Sequence, residues 1–128
     1  MKKLLVLLFV GLLTISCSSN DDETFSNDPI IGSWRLTSII KDGTDLATTC
    51  DKRQTATFDE EGKVSITNFS LDSNGTCSIS ETRNGTWSPN GNSYSITFDG
   101  ETDTETLSFS GNNLSFVSEG ATYTYTKL

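Results

Sequence analysis

Residues 93–127 read SYSITFDGETDTETLSFSGNNLSFVSEGATYTYTK, and their alternation decides the fold. Within Ser93–Asp99, Tyr94, Ile96 and Phe98 share one parity, and Ser93, Ser95 and Thr97 take the other. Thr104–Ser110 carries Leu107 and Phe109 between hydroxylated neighbours. Gly111-Asn112 then turns the chain into Asn113–Ser118, with Leu114 and Phe116. Glu119-Gly120 leads to Ala121–Lys127, where Ala121, Tyr123 and Tyr125 alternate with Thr122, Thr124 and Thr126. A period of two, with one apolar and one hydroxylated face, marks antiparallel strands buried on one side.

Towards the N-terminus the same reading continues. Gly32–Lys41 places Trp34, Leu36 and Ile40 on one parity, and a loop through Asp42-Gly43 and Asp45 follows. Lys52–Phe58 presents Ala56 and Phe58, Asp59 to Gly62 makes a turn, and Lys63–Phe69 presents Val64 and Ile66. Asp72 to Gly75 turns into Thr76–Ser88, with Cys77, Ile79 and Trp87 on one parity, and Pro89 to Asn92 turns again. These are eight strands, or nine if Asn84-Gly85 is a turn rather than a bulge. Short consecutive strands joined by hairpin turns predict an all-β, eight-stranded, up-and-down antiparallel barrel, in which closure removes exposed edges. A β-sandwich is the competing arrangement.

The first residues specify export. Met1-Lys2-Lys3 is a short basic start, and the ten residues Leu4–Leu13 form an apolar run broken only by Gly11. Such a run fits a signal peptide and falls short of the roughly 20 apolar residues a membrane-spanning helix needs. Thr14-Ile15-Ser16-Cys17 resembles the lipobox read by lipoprotein signal peptidase, although Thr14 stands where Leu is usual. Residues 1–16 are therefore expected to be a lipoprotein signal peptide. Cys17 is the expected lipidation site, carrying acyl chains such as palmitate that anchor the chain in a membrane. Residues 17–28 form the expected flexible acidic tether and residues 29–128 the domain. Asp21-Asp22-Glu23 resembles the signal that sends Bacteroidota lipoproteins to the cell surface; the alternative is the periplasmic face of the outer membrane.

Composition narrows the chemistry. The net charge of −8 becomes about −10 once Lys2 and Lys3 are removed. That argues against nucleic acid or anionic lipid headgroups as partners, since both bind through Lys and Arg. Two cysteines remain beyond Cys17, Cys50 and Cys77, and in an oxidising compartment they read as a disulfide. With no histidine in the chain, no metal site is expected. Asp99, Glu101, Asp103 and Glu105 alternate around a hairpin tip, but they lack the loop pattern of a calcium site. There is no Gly-x-Ser-x-Gly elbow and no histidine base, so no catalytic residues, enzyme activity or cofactors are expected.

Ile31-Gly32-Ser33-Trp34-Arg35-Leu36, Cys50-Asp51-Lys52 before Thr57-Phe58 and Gly62, Gly85-Thr86-Trp87, and Tyr123-Thr124-Tyr125-Thr126-Lys127 resemble the lipocalin-like domain family common among Bacteroidota lipoproteins. Gly32-x-Trp34 is also similar to the first-strand motif of lipocalins proper, in which the Trp plugs the closed end of the barrel. An Arg from near the C-terminus covers that Trp in lipocalins; no Arg follows Arg83 here, leaving only Lys127 to substitute. The resemblance implies a barrel. Trp34 and Trp87 are read as its plugs, and Tyr94, Phe98, Phe109, Phe116, Tyr123 and Tyr125 as candidate walls for a small hydrophobic ligand. A monomeric module binding an apolar or amphipathic ligand is the first functional expectation. A structural, protein- or glycan-binding envelope module with a filled barrel is the second. Cavity volume separates the two.

Overall fold

A computed structural model describes residues 25–128. Ten strands form one antiparallel sheet: β1 Gly32–Lys41, β2 Thr44–Asp45, β3 Thr55–Phe58, β4 Lys63–Leu71, β5 Cys77–Asn90, β6 Ser93–Phe98, β7 Glu101–Thr106, β8 Ser108–Ser110, β9 Asn113–Ser118 and β10 Ala121–Lys127. Their order is β7-β6-β5-β4-β3-β1-β10-β9-β8, with β2 as a short flap on β1. Consecutive long strands are neighbours, and β10 returns to β1, pairing Trp34 with Lys127 and Leu36 with Tyr125. The result is the expected up-and-down barrel.

The count rises from eight to ten for two reasons. The β1–β2 hairpin adds a two-residue strand, and the expected strand Thr104–Ser110 divides at Leu107 while starting earlier, at Glu101. Upstream of Leu107 the chain pairs with β6; downstream it pairs with β9. No ladder joins β7 to β9, so a seam runs up the wall from that bend, closed at its foot by the chain itself. The Leu107 N–H bonds to the Asn92 carbonyl at 2.9 Å, which satisfies the backbone where both ladders lapse.

Local chemistry sets the turns. Asp99 and Gly100 both have positive φ, 53° and 84°, as a two-residue hairpin turn matched to strand twist demands. The longer turns are built on aspartates instead: Asp59 Oδ1 accepts from the N–H groups of Glu61 and Lys63, and Asp72 Oδ1 from those of Asn74 and Thr76. Across the strands, hydroxyl pairs such as Ser33–Thr57 at 2.9 Å and Ser95–Thr104 at 3.0 Å link neighbours on the solvated side.

Two irregularities move side chains that period-two reading misplaces. The β1–β10 register shifts between Leu36 and Ser38, where Thr37 Oγ1 bonds to the Thr124 carbonyl at 3.0 Å. Ile39 is thereby paired with Tyr123, while Ile40 is 37% exposed and does not join Trp34 and Leu36 inside. A second shift, between Asn68 and Phe69 on β4, places an extra residue in β5, so Ile79 is 61% exposed although Trp87 is buried. One inserted residue reverses every later side chain. Lys52–Phe58 also differs from expectation, since Asp51–Arg53 is a 3-10 turn ahead of β3. Pro89 and Asn90 belong to β5 rather than to a turn.

Candidate functional site

The hairpins at residues 59–62, 91–92 and 111–112 define one end of the barrel, and this base is sealed. Trp34 is 2% exposed, donates from Nε1 to the Ile30 carbonyl at 2.7 Å, and packs beside Phe109. Trp87 lies against Phe25 with ring centres 4.8 Å apart and donates to the Asp59 carbonyl at 3.0 Å. Phe25 and Asp28, ahead of the expected domain start at residue 29, already pack on this base. The Phe25 N–H bonds to the Glu60 carbonyl, and Asp28 Oδ1 accepts from the Ile30 N–H and from the Tyr94 hydroxyl at 2.8 Å. Burial, and then that bond to Asp28, push the Tyr94 phenol well above its usual range.

In both Gly-x-Trp units a side chain at the glycine would collide with a neighbour. At Gly32, with φ of 132°, a Cβ would stand 2.7 Å from Lys127 Cε; the missing side chain lets the lysine stem pass, and its Nζ lies 5.4 Å over the Trp34 ring. Lys127 thus occupies the covering position that Arg takes in lipocalins. At Gly85 a Cβ would meet the Thr97 carbonyl at 2.1 Å and the Phe98 ring at 2.7 Å, so β6 can approach only a glycine there.

Above the plug lies a cavity of about 110 Å³. Trp34, Phe58, Tyr94, Phe116 and Tyr125 give it aromatic walls; Ile66, Ile96, Leu107 and Leu114 fill in between, and Glu105 is the one charged residue on its border. Higher still, Tyr125 donates to Gln54 Oε1 and Gln54 Nε2 to Asn68 Oδ1, a polar chain that crosses the interior. That chain is the floor of a second, shallower depression of about 220 Å³ at the mouth, bordered by Leu36, Ile39, Phe69 and Tyr123. Burial, and to a lesser degree Tyr123, push the Tyr125 phenol up to about 12. Both phenols therefore stay protonated at neutral pH, suited to hydrogen bonding rather than to accepting protons.

The rim is held by covalent and charged contacts. Cys50 and Cys77 form a disulfide with Cα atoms 5.6 Å apart, tying the 3-10 turn to the start of β5. N–H bonds from Ile39 and Ala47, followed by Lys52 at 3.0 Å, hold the Asp45 carboxyl at about 2. Arg53 and Arg83 lie over the Phe69 and Phe98 rings at 4.8 and 4.4 Å.

Of the six aromatic wall candidates, Tyr94, Phe116 and Tyr125 border the lower cavity, and Tyr123 and Tyr125 the upper depression. Phe98 lies beneath Arg83, and Phe109 is wedged edge-on against Tyr94 with ring centres 5.9 Å apart; neither lines the lower cavity or the upper depression. Gln54 and Asn68 escape sequence reading, because nothing local marks two amides 14 residues apart as partners. Glu105 had a usable signal: it shares parity with Leu107 and Phe109, so a strand that turns those two inward turns Glu105 inward as well. Among the described residues no cluster of three or more potential metal ligands is present. Asp99 instead lies 3.8 Å from Arg83.

No curated protein matches the chain. Among solved structures, it is similar to a lipocalin-like protein from Bacteroides uniformis, at 20% identity and a TM-score of 0.58, over 77% of this chain and 98% of that one. It is also similar to an uncharacterized protein from Bacteroides eggerthii, at 15% identity and a TM-score of 0.57, over 77% of this chain and 99% of the other. At those identities the likeness is one of fold. The family model for the lipocalin-like domain matches residues 30–116, from the buried Ile30 of the base to the Phe116 of the cavity wall, and the chain belongs to that lipocalin-like domain family.

Proposed function

We propose that the protein is a lipid-anchored envelope module that holds a small apolar or amphipathic ligand inside its barrel. The observation that carries this reading is the cavity of about 110 Å³ above Trp34, walled by aromatic rings and bordered by a single charge. An apolar cavity of about 150 Å³ accepts benzene, so this space suits a short alkyl or aryl group. The hydrogen-bonding chain Tyr125–Gln54–Asn68 separates it from the open mouth and supplies polar contacts for the other end of an amphipathic molecule. Drug-sized sites run to about 300–1,000 Å³, so the whole of a large ligand does not fit below that chain. This narrowness favours the second reading, a docking module with a filled interior, for any bulky partner.

Titration of the detergent-solubilised full chain with a small aryl probe such as benzene, followed by tryptophan fluorescence together with native mass spectrometry, tests the binding reading. One-to-one uptake with quenching of Trp34 is expected. An empty protein that takes up nothing in either measurement defeats it.

Anchoring rests on Thr14-Ile15-Ser16-Cys17 behind the apolar run Leu4–Leu13, which lies outside the described residues. The outer membrane, with the domain on the cell surface, is the proposed location, and the domain acts there as a monomer. Metabolic labelling with a palmitate analogue should mark the wild-type chain and leave Cys17→Ala unlabelled. Equal labelling of both would remove the anchor from this account.

A further inference from the structure

Six strands bring hydrophobic side chains to the cavity, and one brings acid. In the β6–β7 ladder Tyr94, Ile96 and Phe98 stand opposite Glu105, Asp103 and Glu101, so the three carboxylates share the face that β6 turns inward. Glu101 and Asp103 are exposed at the rim of the seam, and carboxylates on an unpaired strand edge already have a use in discouraging pairing with another chain. Edge protection does not account for Glu105. It is partly buried, it sits one residue pair above the bend at Leu107, and it borders the apolar cavity.

A carboxylate at the border of an apolar cavity attracts a positive group placed there, since the low-dielectric surroundings screen the pair poorly. The cations nearest this interior are otherwise engaged: Arg83 lies over Phe98 and within 3.8 Å of Glu81 and of Asp99, Arg53 lies over Phe69, and Lys127 lies over Trp34. None of the four ion pairs among the described residues includes Glu101, Asp103 or Glu105. The same cavity offers the faces of Trp34, Tyr94, Phe116 and Tyr125, and aromatic faces attract cations.

We infer that the ligand is a small organic cation, an ammonium group on a short apolar body. The ammonium lies against the Glu105 carboxylate, the body against the rings, and the seam between β7 and β9 is the way in, lined by Glu101 and Asp103. This deepens the binding reading above and rests on it.

Three isosteric probes separate the two claims: n-butylammonium, 1-butanol and butyrate, titrated into the full chain in a non-ionic detergent and followed by ligand-observed NMR. Butylammonium should bind about tenfold or more tightly than butanol, as a charge-assisted contact implies, with butyrate weakest. Glu105→Gln should erase the advantage of the amine while keeping the affinity for butanol. Raising the ionic strength should weaken the amine and leave the alcohol unchanged, a readout on the native chain that does not depend on the variant folding. Butylammonium binding no better than butanol, or keeping its advantage in Glu105→Gln, overturns the cation inference alone. Binding by none of the three overturns the ligand site itself.

Discussion

Trp34→Ala should destabilise the domain by about 3–5 kcal/mol, the range for removing a large aromatic from a packed core. Small domains are stable by only about 5–15 kcal/mol, so the variant is expected to lie at the edge of folding. The ring is 2% exposed and meets three elements at once: the N-terminal segment through the Ile30 carbonyl, the C-terminus through Lys127, and β8 through Phe109. Its removal also merges its own volume with the cavity above, so the vacated space cannot collapse onto a filled neighbour. Trp34→Phe keeps most of the packing and loses chiefly the bond to Ile30, worth about 1 kcal/mol. Urea unfolding of the three chains checks the order. A loss below about 1 kcal/mol for the alanine variant would show that the base is not held by this ring.

Removing the disulfide through Cys50→Ala with Cys77→Ala should cost about 3–4 kcal/mol in the chain-entropy account, given a separation of 27 residues. For a domain of this size that corresponds to a fall in Tm of roughly 12–30 °C. The bridge lies on the rim, where the register shift in β5 and the exposed Ile79 and Leu71 leave little packing to take its place. Reduction of the wild-type chain should reproduce the loss, since both routes free the same loop. If reduced and oxidised protein melt together, the rim is held by something other than this bond.

Much of this architecture is legible in the sequence because hydroxylated and apolar residues alternate without interruption through β6 and β10, and through β9 up to the exposed Val117. Of those strands, β6 and β9 end at turns whose residues announce them, Asp99-Gly100 and Glu119-Gly120. The errors gather where one residue is inserted. Thr37 sits among residues that suit a regular strand equally well, so the shift that exposes Ile40 is decided by its bond across to Thr124, a partner far away in sequence. The bend at Leu107 is hidden for the same reason: the residue before it and the residue after it pair with different strands, and neither partner is visible locally. For the site, the aromatic walls were readable as a class, yet Phe98 and Phe109 show that parity identifies the inward face and not the height at which a cavity opens. The amide chain through Gln54 depended on tertiary proximity alone.

The bend at Leu107 also changes how the barrel can breathe. A sheet ring closed all round by rungs must break backbone bonds in sequence before its girth can change. Here the last closure is a stretch of peptide, so β7 and β9 can part above the bend by hinging, with each strand keeping its ladder to β6 or β10. A ligand taking the proposed route through this seam would enter without unfolding of the sheet, at a rate governed by the hinge.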